Sequence, residues 1–453
     1  MNASVIPIVK STDVPESFFS VRRFSTGLDV VPLVLEDVRV HGDVAVRKYA
    51  AQFDHANPEQ FAIPKPELKV AELNLKKENP DLYDSLCRSR DLALQFASRQ
   101  KESFNDFETE LSPGLITGQR TIAVDRAGIY IPAGRFPLFS SVIMCTTPAK
   151  AAGVSEVILC TPPVPHPDPS AEGKPWADEH IMATASLCDV DRIFAIGGAQ
   201  AIASMAYGTE TVPRVNVIVG PGNKYVAAAK KLVYGEVGID LIAGPTEVMV
   251  IADETATPAW IAADLLAQAE HDPDAQAVLV TTSTSLASEV QKEVERLVVL
   301  LPENAIARAS FEKNGLIIIV KNLDEAASIA NRKAPEHLEL ALDPGKARDE
   351  LEREVHNYGS LFIGHRSAEV LGDYAAGLNH TLPTSGNAMF TGGLSVRHFL
   401  KTVTTLRTAD TRRSDGKVDL SGWEASLHAA CSIAAAEGLS GHAQAAACRI
   451  RHV

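Results

Sequence analysis

Four short polar stretches of this sequence carry residue types that do chemistry. In LLAQAEHDPDAQ (265–276), Gln268 and His271 lie three residues apart, so they share one face of a helix that must end at Asp272 and Pro273. A metal ion is one answer to why an amide oxygen and an imidazole sit side by side at a helix terminus. In APEHLEL (334–340), Glu336 and His337 open a strand. A carboxylate beside an imidazole can run general acid–base chemistry near neutral pH, although a solvated loop with a strand-initiating histidine reads the same way. GDYAAGLNHTLPT supplies Asp373, Asn379 and His380, and AAAEGLSGHAQ supplies Glu437 and His442. Asp, His and Gln are acceptable zinc ligands, and a catalytic zinc needs protein ligands plus room for a substrate. Taken alone, Asp373 also reads as a helix cap and His442 as a surface histidine near a helix end. Spacing by itself cannot bring 268, 271, 373 and 442 together.

Glycines at strand ends suggest a second kind of chemistry. They are Gly134 in IPAGRFP, Gly197 and Gly198 in IGGAQA, and Gly220 and Gly222 in VGPGNKY. Ligands of α/β sheets bind outside the carboxyl ends of the strands, where N–H groups at helix starts are free. These loops would cradle a diphosphate, with Gln200 and Asn223 reaching the cofactor. None is a GxGxxG or GxxxxGK[ST] motif, and each glycine alone is also what a tight turn requires. Three in one sheet point towards a nucleotide.

The elements that would position these residues follow from periodicity. Residues 28–100 are helical in pattern, with apolar residues at three- and four-residue steps. From Ala127 short apolar strands alternate with helices: AGIYIP, SEVILCTP, DRIFAIGG and VNVIVGPG, then VMVIAD, AQAVLVTTS, GLIIIVKN, HLELAL and GSLFIG. Such runs imply parallel sheets covered on both faces. The expected fold class is therefore α/β, with two Rossmann-like parallel-sheet domains and helical N- and C-terminal extensions. The expected division is an arm at 1–27, a discontinuous α/β domain of 28–125 plus 243–390, a nucleotide-binding domain at 126–242, and a helical segment at 391–453.

Composition narrows the function classes. At 453 residues the chain exceeds one compact core. A net charge of −14 and pI near 5.4 argue against nucleic acid or an anionic membrane as partner. No apolar run reaches the roughly 18 residues that span a bilayer. The amino-terminal residues lack signal architecture, and Cys87, Cys145, Cys160, Cys188, Cys431 and Cys448 form no CxxC pair. A reducing cytoplasmic setting is expected. From residues alone the reading is an α/β enzyme that binds a nucleotide, with a metal as an open option.

The ordered blocks VDRAGIYIPAG, GGAQAIASMAYGT, VGPGNKYV, DLIAGPTEVMVIAD, DLLAQAEHDPDAQ, APEHLEL, GDYAAGLNHTLPT and AEGLSGH resemble those of the histidinol dehydrogenase family, over about residues 28–445. The resemblance implies one zinc per subunit, held by Gln268, His271, Asp373 and His442. It implies Glu336 and His337 as the acid/base pair, and Tyr130, Gln200 and Asn223 as NAD contacts. Thr246, Gln268, His271, His337, Asp373, Glu437 and His442 would line the substrate pocket. It further implies a homodimer whose C-terminal segment crosses to the partner, so that Glu437 and His442 complete the other subunit's site. The implied reaction oxidises a primary alcohol to a carboxylate by two hydride transfers to NAD, through a bound aldehyde.

Three features depart from that pattern. Thr246 stands in AGPTEV where the family usually carries Ser, and Arg135 follows IPAG where a small residue is usual. TGGLSVRHFLKTVTTLR adds Arg397, His398, Lys401 and Arg407, and is closer in wording to the sulfopropanediol dehydrogenases. Clustered cations would suit a sulfonate or carboxylate; they also suit a solvated helix face or cofactor phosphates. Histidinol is the default substrate and an anionic alcohol the alternative. A catalytically silent binding or scaffold paralogue is a third reading, which the intact Glu336–His337 pair and ligand set argue against.

Overall fold

The strands that read as unbroken apolar runs are buried along their whole length. The computed structural model describes residues 5–22, 28–56, 58–133, 136–171, 173–302, 304–409 and 419–450. Every residue of Glu247–Ala252, Gln276–Thr281 and His337–Ala341 is buried, as in a parallel sheet with helices on both faces. The chain divides into two units, residues 1–99 with 124–399, and 100–123 with 400–453.

The larger unit holds two six-stranded sheets; strands and helices are numbered in chain order. The first sheet runs β2 (Ala62–Ile63), β7 (Arg192–Ala195), β6 (Glu156–Thr161), β5 (Arg126–Tyr130), β8 (Val217–Val219), β9 (Gly238–Ile239), parallel except for β2 against β7. The second runs β1 (Ile8–Lys10), β12 (Leu316–Ile319), β11 (Gln276–Thr281), β10 (Glu247–Ala252), β13 (His337–Ala341), β14 (Ser360–Ile363), all parallel. The α/β class with two parallel sheets is as expected.

Seven helices precede or alternate with the first sheet: α1 (Val30–Phe53), α2 (Lys65–Glu78), α3 (Pro80–Lys101), α4 (Ser140–Ala152), α5 (Glu179–Leu187), α6 (Gly198–Tyr207) and α7 (Lys224–Val233). With the second go α8 (Pro258–Ala269), α9 (Thr284–Val299), α10 (Ile306–Asn314), α11 (Leu323–Lys333), α12 (Lys346–Glu354) and α13 (Glu369–Tyr374). The side chains of Asp178, Asn223, Ser283 and Asn322 accept first-turn N–H groups and so fix where α5, α7, α9 and α11 begin.

Three expectations are corrected. The helices of 28–125 were assigned to the second sheet, but α1 packs on α6 and β2 pairs with β7 of the first. The reason is the buried stripe Val31, Val34, Leu35, Val38, Val46 and Tyr49, which shares one core with Ile158, Phe194 and Ile202. An amphipathic stripe announces a buried face without naming its partner. The arm at 1–27 contains β1, paired in register with β12. The segment at 391–453, expected to be helical, includes β15 (Leu400–Thr408).

In the smaller unit β15 lies antiparallel to β4 (Leu115–Ala123), which pairs with β3 (Phe107–Ser112). Helices α14 (Ser421–Ala436) and α15 (Ser440–Ile450) complete it. The alternation in LKTVTTLRT is polar on both faces, and six of its nine residues are exposed, so it carried little apolar signal. No described helix is long and apolar enough to cross a membrane.

The placement of α1 is testable. Leu35→Ala leaves a cavity between α1 and the first sheet's core and is expected to lower stability by about 2–5 kcal/mol in urea unfolding. A change below about 0.5 kcal/mol would show that α1 does not pack there.

Candidate active site

The mouth of β13 carries Glu336 and His337. Ala334 ends α11 in the left-handed region at φ +50°, and the chain then turns through Pro335 into the strand. Both Glu336 and His337 are buried. Glu336 Oε2 accepts from Thr246 Oγ1 at 2.5 Å and from the Glu247 N–H at 3.0 Å. Burial nevertheless pushes the Glu336 carboxyl up to about 7. His337 Nδ1 lies 3.5 Å from Glu369 Oε1 and 3.9 Å from Glu336 Oε2, and Nε2 lies 3.6 Å from Asp373 Oδ1. Burial opposes a charge on the imidazole, but these three carboxyl groups outweigh it and raise His337 well above its ordinary value.

Glu336, His337 and Asp373 line a pocket of about 190 Å³ together with Thr246, Gln268, His271 and His380. Gln268 is fully buried in the last turn of α8, and His271 follows just beyond it. His380 is fixed by Ser141 Oγ at 2.9 Å and by the Asp373 carbonyl at 3.0 Å. Burial works to raise Asp373, yet His337, His380 and His271 around it hold its carboxyl below the usual value.

The donor set fits a cation. His337, Glu369 and Asp373 each offer a ligand atom within 4.8 Å of the others. His337 Nε2 and Asp373 Oδ1 are buried without a hydrogen-bond partner, an expensive arrangement in the absence of an ion. With Gln268 Nε2 on Thr246 Oγ1, the Gln268 Oε1 faces Glu369 Oε1, so two acceptors meet. A turned amide, a proton on Glu369 or a cation would each resolve that contact.

A larger cleft of about 940 Å³ adjoins the pocket, and His271 and Leu138 line both. Tyr130, Gln200, Asn223 and Asp54 all line this cleft. Tyr130 Oη accepts from the Gly198 N–H at 3.1 Å, and Gln200 Nε2 donates to Asp54 at 3.0 Å. Asn223 Oδ1 accepts from the N–H groups of Tyr225 and Val226 at 3.0 and 3.2 Å, so this residue is also the cap of α7.

Two parallel sheets of this topology with a polar pocket beside a long cleft match a known family. The histidinol dehydrogenase family model matches residues 21–450. The chain belongs to the histidinol dehydrogenase family. Histidinol dehydrogenase of Streptococcus mutans is 42% identical over 418 residues, 91% of this chain and 90% of that protein. That of Geobacter sulfurreducens is 40% identical, over 98% of this chain and 99% of the relative. The crystal structure of histidinol dehydrogenase from Elizabethkingia anophelis superposes with a TM-score of 0.87 at 32% identity, covering 100% and 99% of the two chains. As a member of the histidinol dehydrogenase family the chain is an oxidoreductase.

Other residues singled out in the sequence lie elsewhere. Glu437 ends α14 and His442 sits in the first turn of α15, both exposed, in the smaller unit. Gly134 and Arg135 lie outside the described residues. Arg397 donates to Thr391 Oγ1 at 3.0 Å. Burial lowers His398, whose Nδ1 lies against the Ser395 backbone. In the smaller unit Lys401 is exposed on β15, and Arg407 pairs with Glu108 at 2.9 Å.

Sequence reasoning missed Glu369. It stands four residues before Asp373 in AEVLGDY, and that helical spacing of two carboxyl groups was the available signal. Protein dialysed against metal-free buffer is expected to retain a divalent cation, and Asp373→Ala to lose it, by elemental mass spectrometry. Equal metal content in the two would sink the cation reading of this cluster.

Proposed function

We propose that this protein oxidises L-histidinol to L-histidine in two hydride-transfer steps, with NAD in the larger cleft and zinc in the pocket. One observation carries the reading: Glu336, His337, Gln268, His271 and Asp373 line one pocket, and that pocket shares His271 with a cleft sized for a dinucleotide. The names borne by relatives covering nine-tenths of the chain support histidinol as substrate. The cationic residues favour it too, because Arg397 and Arg407 are engaged by Thr391 and Glu108. Neither Arg397 nor His398 is among the described residues lining the pocket.

The chain's own groups have distinct tasks. Gln268, His271 and Asp373, with His442 as fourth ligand, would hold zinc, whose charge orients the substrate's polar groups and polarises its oxygen. Tyr130, Gln200 and Asn223 would hold NAD, which accepts the hydride. His337 takes the hydroxyl proton as the hydride leaves carbon once it has lost the proton its carboxyl neighbours favour, so alcohol oxidation also falls as pH drops. Glu336 then takes a proton from the water that attacks the aldehyde, and Thr246 Oγ1 keeps its carboxylate aimed. Thr246 and Glu437 complete the substrate contacts. A second copy of the chain would supply Glu437 and His442, giving a homodimer with shared sites.

Glu336 sets the acid side of the pH profile. Its raised value means that it is protonated, and useless as a base, below about 7, so acid formation should fall as pH drops through that value. Glu336→Gln is expected to lower acid formation by about 10²–10⁴-fold while sparing alcohol oxidation more. Wild-type rates of acid formation from this variant would disprove the role. Sharing of sites has its own test. Mixing refolded Glu336→Gln and His442→Ala proteins, each deficient in acid formation, should regenerate measurable L-histidine production, and a mixture that stays as deficient would argue for self-contained subunits.

A further inference from the structure

The loop joining β8 to α7 serves both cavities, since Pro221 and Gly222 line the pocket and Asn223 lines the cleft. Its first residue, Gly220, sits at φ +113°, and a Cβ there would lie 2.2 Å from the Tyr130 carbonyl oxygen. Only glycine fits, so no side chain of residue 220 can hold the loop in place.

Two buried charges grip its backbone instead. The Gly220 N–H donates to Asp240 Oδ2 at 2.8 Å, and Lys230 Nζ donates to the Gly220 carbonyl at 3.0 Å. Asp240 Oδ1 also accepts from the Leu241 N–H at 2.7 Å and pairs with Lys230. The two side chains are 3% and 0% exposed. Desolvation makes such a pair a poor route to stability, because apolar residues of similar volume often serve as well. A grip on both polar groups of one glycine that no side chain can anchor is a reason for charge at this place that packing alone does not supply.

We propose that Lys230 and Asp240 are positioning residues that clamp Gly220, and so hold the Pro221–Asn223 wall in register between the substrate pocket and the cofactor cleft. Neither side chain is among the described residues lining either cavity, so both act through the loop. The functional half of this inference rests on the reading of those cavities given above; the clamp itself does not.

Hydrogen exchange and kinetics test the two halves separately. In wild-type protein the Gly220 amide should exchange as slowly as the strands of the first sheet. Exchange at loop rates would overturn the clamp without any variant. In Lys230→Met/Asp240→Leu, which replaces the pair by apolar residues, the melting temperature should hold while the peptide over 217–226 exchanges at least about tenfold faster. The KM for NAD should rise and kcat fall, each by about tenfold or more, because displaced walls misplace both reactants. Lys230→Arg, which keeps the charge, should recover part of the loss. A folded double variant with unchanged loop exchange, or with faster exchange and unaltered KM and kcat, overturns the proposal. Wild-type protein that fails to reduce NAD with histidinol would instead refute the functional reading, and the exchange result alone would then decide the clamp.

Discussion

Four glutamates, Glu247, Glu336, Glu339 and Glu369, are buried around one imidazole, His337, and the carboxyl end of the second sheet is organised to offset that cost. An uncompensated buried carboxylate costs several kcal/mol, more than most single contacts can return. Three of these groups therefore have partners of their own, and Glu369 faces His337 at 3.5 Å. Glu247 faces Lys333 Nζ at 3.0 Å and accepts the Ser385 N–H at 2.8 Å. Glu336 takes a hydroxyl and an amide, and Glu339 accepts the Glu369 N–H at 2.8 Å, fixing the start of α13. What remains uncompensated appears as displaced proton affinity, with Glu336 pushed up to about 7 and Glu339 to about 8, both by burial. The same desolvation that makes the cluster expensive thus leaves protons poised to move near neutral pH.

The first sheet meets a different demand. Glycines at 197, 198, 220 and 222 sit at its strand ends and would let a ligand approach the backbone closely. The side chains beside them are held by the protein before any ligand arrives: Gln200 by Asp54, Tyr130 by the Gly198 amide, Asn223 by the first turn of α7. Rigid walls on one side and a charged cluster on the other meet at His271. Such preorganisation favours chemistry that needs two reactants at a fixed separation.

Much of this was legible from residues alone because it lies in local pattern. The strands of both sheets and the helices between them follow from apolar runs and their caps. The pocket residues Gln268, His271, Glu336, His337 and Asp373 came from the resemblance of their motif blocks, since spacing could not join them. What local pattern lacks is pairing. Nothing in the stripe of α1 distinguishes the first sheet from the second, and nothing in LKTVTTLRT announces the partner strand β4. Glu369 escaped for a related reason: its importance comes from His337 and Gln268, which are distant in sequence and meet it only through β13, α8 and α13. Lys230 and Asp240 carry no local signal, because only α7 and the residue after β9 bring them together on Gly220.

The three-residue strand β1 has a consequence for the chain's solution behaviour. It covers the outer side of β12, whose Leu316–Ile319 is four aliphatic residues in a row. Without residues 8–10, that strand would present unpaired backbone groups on a flat, uncharged rim, the template on which other chains stack into aggregates. Nicking or crowding of the amino-terminal end would then harm solubility, although none of the described residues 5–22 lines either cavity.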